Sequence, residues 1–213
     1  MATVEEWRYE AIGKSACEAL KRSGFDARFV DKVEEALDII VSFVKPGMKV
    51  GFGGSMTLRA IGAPEKIQAL GAEILDHNAR GIDPARKLEI LRAQLTCDLF
   101  LSSSNAVTLE GDLVNVDGNG NRVAALTFGP RKIVVVVGAN KVVRDLDEAL
   151  ARIETMAAPM NNKRLERPNP CVKSGTCEDC RGETRICRVY QILRRRPSLS
   201  DFTVVVVAEP LGY

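Results

Sequence analysis

The chain predicts an α/β fold: a mostly parallel sheet with helices on both faces, an antiparallel β-hairpin, and a cysteine-rich insertion before the last strand. Three observations carry this. Several strand-like runs, residues 133–137 and 202–208 above all, are apolar without alternation, as strands covered on both faces are. They take turns along the chain with segments whose apolar residues recur at helical spacing. Glycine, hydroxyl or amide residues follow directly on the strands, where ligands of open α/β sheets bind.

Taken in order, residues 3–23 read as an amphipathic helix ended by Gly24. In the next helix Val33, Ala36, Leu37, Ile40, Val41 and Val44 keep the i, i+3, i+4, i+7 pattern. Asp31 with Glu34 resembles its capping pair, and Pro46-Gly47 stops it. A short strand then enters Gly51-Phe52-Gly53-Gly54-Ser55, after which Met56, Leu58 and Ile61 resume helical spacing. Pro64 opens a short helix closed by Gly71, and residues 72–75 form a strand leading into Asp76-His77-Asn78. Pro84 begins a helix with Leu88, Leu91 and Leu95 on one side, and residues 98–101 form a strand running into Ser102-Ser103-Ser104-Asn105. Residues 113–116 and 123–126 flank Asp117-Gly118-Asn119-Gly120-Asn121, a hairpin signal. The strand at 133–137 ends in Gly138-Ala139-Asn140, residues 145–160 are helical, and residues 202–208 close the sheet.

A chain of 213 residues accommodates one sizeable core, and residues 1–213 read as a single domain with 163–197 as an insertion within it. No apolar run approaches the roughly 20 residues of a membrane span. The acidic N-terminus lacks the layout of a signal peptide, so a cytoplasmic location is the expectation. The net charge of +2 is unevenly spread: residues 163–196 hold ten Lys/Arg against four Asp/Glu, a net of +6 that leaves −4 on the rest. That basic segment has one aromatic residue, Tyr190, and interspersed acids, which argues against a nucleic-acid surface. Apolar faces left at the surface would pair copies of the chain in a homo-oligomer.

The strand-end rule gathers Gly51, Gly53, Gly54, Ser55 and Thr57 with His77, Ser104, Asn105, Gly138, Asn140 and Lys141 on one rim. Backbone N–H groups of a glycine loop opening a helix suit an anion, and Ser55 and Thr57 serve as caps or ligand donors. There is no GxxxxGK[ST] and no true GxGxxG, so no nucleotide fingerprint is present. His77, the one histidine, is a candidate general acid or base or a hydrogen-bonded rim residue. Glu110, between Leu109 and Gly111, is a candidate nucleophile or base, or a turn residue.

The combination of Gly51-Phe52-Gly53-Gly54-Ser55-Met56-Thr57-Leu58, Ser104-Asn105-Ala106-Val107-Thr108 and Gly111-Asp112-Leu113-Val114-Asn115-Val116-Asp117-Gly118-Asn119-Gly120-Asn121-Arg122-Val123 resembles the LUD (lactate-utilisation) domain family, its C-type lactate-utilisation branch in particular. The likeness extends through Phe128-Gly129-Pro130-Arg131-Lys132, Val137-Gly138-Ala139-Asn140-Lys141, the cysteine segment and Ala208-Glu209-Pro210-Leu211-Gly212. It implies a Rossmann-like fold of the ribose-phosphate-isomerase and CoA-transferase type, and it adds Thr108 to the expected ligand-binding residues. It also implies a role in lactate or hydroxy-acid redox metabolism, binding a small anionic metabolite beside iron–sulfur oxidoreductase subunits. The alternatives are a transferase or isomerase acting on a CoA thioester or phosphosugar, and a redox- or metal-dependent interaction module. CoA transferases of this superfamily use a thioester-forming glutamate; Glu110 is the nearest counterpart, although its flanking sequence does not match theirs.

Cys171, Cys177, Cys180 and Cys187 form a C-x5-C-x2-C-x6-C run. Four thiolates at this spacing can surround an iron–sulfur cluster or a zinc ion, and free or redox-active thiols are the third reading. The run is neither a ferredoxin pattern nor a pair of zinc-ribbon knuckles.

Overall fold

In the computed structural model, which describes residues 3–213, six parallel strands make the central sheet. The N-terminal reading begins on Met1 and Ala2, outside the described residues. From Thr3 onward the helix α1 (Val4–Arg22) is closed by a capping box, in which Thr3 Oγ1 accepts from Glu6 N and Glu6 accepts from Thr3 N. It leads to β1 (Asp26–Val30), α2 (Val33–Ser42) and β2 (Lys49–Phe52). Next come α3 (Met56–Ala60), α4 (Ala63–Ala69), β3 (Glu73–Leu75), α5 (Pro84–Ala93) and β4 (Leu99–Ser102). The second half holds β5 (Ala106–Thr108), β6 (Leu113–Asp117), α6 (Asn121–Thr127), β7 (Lys132–Gly138), β8 (Val142–Val143), α7 (Leu146–Arg152), α8 (Ala158–Arg164), α9 (Cys171–Ser174), β9 (Val189–Leu193) and β10 (Asp201–Val207).

The sheet order is β1-β10-β7-β4-β2-β3. The valine runs of β7 and β10 pair along their full length at its centre, Ile133 to Val137 opposite Phe202 to Val206. Successive side chains of a strand point to opposite faces, and the core divides accordingly. Ile133, Val135 and Val137 meet Ala16, Cys17 and Leu20 of α1 and Ala125 and Leu126 of α6 on one side. Val134 and Val136 meet Ala36 and Ile40 of α2, Leu58 of α3 and Ile67 of α4 on the other. That two-sided burial is why these strands carry no polar alternation. A second sheet, β8-β5-β6-β9, packs on α7 and α8 through Ala106, Val114, Ala149, Ile153 and Ala158. Pro159 lacks the N–H that a continuous helix needs, and a π-helical turn, Ile153–Ala157, separates α7 from α8. No helix among the described residues is long and apolar enough to cross a membrane.

Several expectations change. Residues 123–126 are not the second strand of a hairpin but the body of α6. Gly120 enters the left-handed region at φ 80°, and the Asp117 carboxylate accepts from Arg122 N and Val123 N. The polar turn is therefore a helix cap, and the two alanines of Val123-Ala124-Ala125-Leu126 favour the helix. The antiparallel partners of β6 are instead β5 and β9. The cap of α2 shifts by one residue: Glu35 accepts from Lys32 N. On α5 the inward residue is Ile90, followed by Gln94 and Cys97 just beyond it, while Leu88 is exposed.

Gly111 closes the β5–β6 turn at φ 95°, and a Cβ there would stand 2.6 Å from the Ala19 carbonyl of α1. Gly81 has a similar φ of 79° but nothing within 4 Å. Gly111→Ala therefore costs about 1 kcal/mol of backbone strain plus roughly 1–3 kcal/mol of displaced packing, whereas Gly81→Ala carries the strain alone. Chemical denaturation of the two variants should rank them in that order, and equal losses would contradict the contact.

Candidate functional site

The ends of β2, β3 and β4 open onto a cleft of about 270 Å3. Gly53, Gly54, Ser55 and Thr57 line it after β2, His77 and Asn78 after β3, and Ser102, Ser103, Ser104 and Asn105 after β4. From the stretch after β7 only Lys141 reaches it. The opposite wall comes from Asp117 to Arg122, from Asn161, Arg164 and Arg167 at the end of α8 and beyond, from Ile186, and from Tyr213.

The remaining sequence-predicted residues lie outside this cleft. Gly51 sits in the sheet core, where a Cβ would press on Gln94, Phe100 and Cys97. Thr108 is buried in the β5–β6 turn and accepts from Asp112 N, and Glu110 is exposed in the same turn. Gly138 and Asn140 hold the C-terminal segment: Asn140 donates to the Gly212 carbonyl and accepts from Leu211 N. Among the lining residues outside the four strand-end stretches are Lys87, Asp117, Arg122, Asn161, Arg164, Arg167 and Tyr213. All lie off the ends of the central strands, so the strand-end rule does not point to them.

Arg122 uses all its donors. Nε bonds Asp117 Oδ1 at 2.9 Å, Nη1 reaches Asn115 Oδ1 at 2.6 Å and the Ser103 carbonyl at 3.0 Å, and Nη2 reaches Asn105 Oδ1 at 2.9 Å and the Val116 carbonyl at 3.0 Å. Its stem packs on Gly53, where a Cβ would lie 2.9 Å from Arg122 Cδ and 2.8 Å from Ser102 Oγ. Gly53 is thus small for want of space, and Gly54 is required for its φ of 72°.

Lys141 is buried on the cleft floor, and its Nζ donates to Thr57 Oγ1 and Ser103 Oγ, each at 3.0 Å. Among the described residues no carboxylate side chain pairs with it. Burial, then the positive charges of Arg152 and Arg122, push its pKa from 10.5 down to about 7. Arg152 is buried as well, donating to the Asn105 and Asn140 carbonyls while its Nη2 has no partner.

His77 lies between two side-chain amides. The Gln94 amide nitrogen is anchored on the Leu75 and Phe52 carbonyls at 2.7 and 3.2 Å, and it lies 3.0 Å from His77 Nδ1. Asn78 Nδ2 lies 3.1 Å from Nε2, so an amide nitrogen faces each ring nitrogen. Burial lowers the pKa of the ring, with Lys87 and Arg59 adding to the effect against Asp76. His77 therefore favours its neutral form at the cleft edge.

The four clustered cysteines stand apart from the cleft and line a separate, small cavity. All are free thiols. Among the described residues, no three histidine, cysteine, aspartate or glutamate side chains are drawn together as a ready ligand set.

A doubly covered parallel sheet with a cleft at its strand ends defines an α/β protein of the open-sheet class. More narrowly, the LUD domain model matches residues 14–207, and the chain belongs to the LUD domain family. The fold is also similar to the crystal structure of a DUF162 family protein from Deinococcus radiodurans, with a TM-score of 0.52 at 14% identity over 93% of this chain and 98% of that one. No curated protein matches the chain.

Lys141→Met isolates the charge on the cleft floor. Below about pH 7 the lysine is protonated whether folded or unfolded, and the folded state bears the full burial cost. Between about 7 and 10.5 only the unfolded chain holds that proton, so wild-type stability rises with pH. The stability gained by Lys141→Met should thus be larger at pH 6 than at pH 9, by an amount on the order of 2 kcal/mol at about 1.36 kcal/mol per unit. Denaturant titrations at the two pH values provide the comparison; a pH-independent difference would mean that the amine is not strained.

Proposed function

We propose that the chain binds a small organic anion in this cleft and serves the metabolism of lactate or a related hydroxy acid. The carrying observation is Lys141, a buried amine without a carboxylate side-chain partner among the described residues, in a cleft that Lys87, Arg122, Arg164 and Arg167 also line and whose one acidic side chain, Asp117, is already paired with Arg122. A buried cation without counter-charge, as Lys141 is, is costly unless an anion completes it. Family membership supports the lactate connection at the level of a role related to its use. Iron–sulfur oxidoreductase subunits are the partners this reading expects.

The division of labour follows from the geometry. Lys141 meets the carboxylate, because its third N–H direction is unused after Thr57 and Ser103. Gly53 N already donates to the Leu101 carbonyl, so the N–H of Gly54 and the His77 ring beside it stand at the rim to orient the anion's remaining oxygens. The helix behind that loop, α3, has five residues, so side-chain charge rather than a helix dipole dominates the site. Arg122, with every donor engaged, holds the loops in register. An anion beside Lys141 favours its protonated form, and binding therefore takes up a proton at neutral and alkaline pH.

A second reading is favoured by the mouth of the cleft, where Lys87, Arg164 and Arg167 offer more charge than a monocarboxylate needs. A phosphosugar or CoA thioester would use them, which makes a transferase or isomerase the alternative.

Calorimetry with lactate, pyruvate, inorganic phosphate, ribose 5-phosphate and CoA at pH 6.5 and 8.5 tests both. A hydroxy or keto acid should bind with proton uptake and lose affinity as pH rises above about 7. Lys141→Met should weaken it at least about tenfold, the value of a single charge-assisted hydrogen bond, and remove the pH dependence. Preference for ribose 5-phosphate or CoA would establish the second reading. No binding of any anion, or binding indifferent to Lys141, would refute both.

A further inference from the structure

Residues 165–188 contain one short helix, α9, and otherwise no regular element. From Pro170 to Arg188 only two residues are buried, and both are cysteines, Cys171 and Cys187. Apolar burial is therefore too sparse to order this stretch, yet its cysteine backbones are individually tied down. Cys177 N donates to the Glu154 carbonyl at 2.8 Å. A single guanidinium, that of Arg185, donates to the Cys180 carbonyl at 2.6 Å and the Cys187 carbonyl at 2.7 Å. Asp179 takes a left-handed φ of 43° and turns its N–H to 3.4 Å from Cys177 Sγ. That places an N–H···S hydrogen bond inside the Cys177-Glu178-Asp179-Cys180 turn, a contact that stabilises a thiolate. All four cysteines line one cavity of about 10 Å3.

We propose that Cys171, Cys177, Cys180 and Cys187 bind one divalent metal ion tetrahedrally, and that the ion is zinc. Four thiolates match the ligand set of structural zinc, all four line one small cavity, and their C-x5-C-x2-C-x6-C run is not a ferredoxin pattern. Binding turns the four Sγ atoms inward by side-chain rotation, since the free thiols are not yet a closed ligand set. Each thiol that ligates gives its proton to solvent, so affinity rises with pH. Arg185 stands by to offset the excess negative charge of a four-thiolate site.

The ion would also shape the anion cleft. Ile186 borders both cavities. Gly118 packs closely enough on Ile186 that a Cβ would lie 3.4 Å from its Cα, and Arg188 N donates to the Asp117 carbonyl at 2.9 Å. Metal removal thus releases a wall of the cleft.

Metal analysis of protein purified under reducing conditions without added metal should find about one zinc per chain and no iron. Cobalt(II) added to the chelator-stripped wild type should give the intense visible bands of a tetrahedral thiolate site, at one equivalent. Cys177→Ser with Cys180→Ser should abolish both, and chelation should open residues 165–188 to limited proteolysis. The cobalt titration uses the wild type and so stands even if the double variant fails to fold. Stoichiometric iron with acid-labile sulfide, a Cys177–Cys180 disulfide in place of metal, or failure to bind cobalt would each overturn the assignment. None of these readouts depends on what the cleft binds.

Discussion

The hydrogen-bond set of Arg122 is the constraint on which the cleft depends. Two sheets meet here, and their backbone ladders end without bonding each other across the gap. The guanidinium spans it, donating on one side to Ser103 and Asn105 beyond β4 and on the other to Asn115, Val116 and Asp117 of β6. An arginine suits this position because its planar fork presents five donors in fixed directions, whereas lysine could satisfy three acceptors at most. Its partner Asp117 does double service, since the same carboxylate caps α6 and thereby sets where Arg122 begins. Gly53 completes the arrangement by leaving room for the arginine stem.

Lys141 represents the opposite condition. Arg122 is saturated and neutralised, so its burial is compensated and its role is scaffolding. Lys141 has two hydroxyl acceptors and, among the described residues, no carboxylate side chain, and buried Arg152 and half-buried Arg122 stand near it. Nothing about packing calls for three cations within one interior region; Val, Leu or Met would fill the volume at lower cost. Such strain persists where function demands it, and here it collects at the ends of the parallel strands, where the sheet topology leaves a crevice.

The sequence made the sheet legible because buried parallel strands leave a signal that needs no context: Val134 to Val137 and Val204 to Val207 can hardly be anything but central strands. It also placed three of the four polar strand ends on the cleft. What it concealed was the difference between a hairpin turn and a helix cap at residues 117–121. Asp-Gly-Asn-Gly-Asn satisfies the local demands of both, and the decision rests on the Asp117–Arg122 pairing, which needs the second sheet in place. The strands β5, β8 and β9 were hidden for a related reason. Each is short or half-exposed, and none carries the unbroken apolar run that marks the central sheet. The cationic wall from Lys87, Arg164 and Arg167 escaped because exposed basic residues on helices read as ordinary solvated surface.

The cysteine segment gives the molecule its asymmetry. One side of the cleft is the firmer: its loops spring from β2, β3 and β4, which are locked by parallel pairing, with β4 buried throughout. The other side leans on residues 165–188, where order comes from side-chain clasps such as Asn169 with Asn162 and Thr184, and Arg185 with two cysteine carbonyls. Stability across a protein follows local burial, so this wall opens at lower free energy than the strand ends facing it. Any group that tightens the cysteine segment acts on the cleft through Ile186 and Asp117, without touching the bound anion. Conversely, an anion that bridges Arg164 or Arg167 to Lys141 ties the segment to the sheet, and reciprocity requires that it strengthen whatever the cysteines hold.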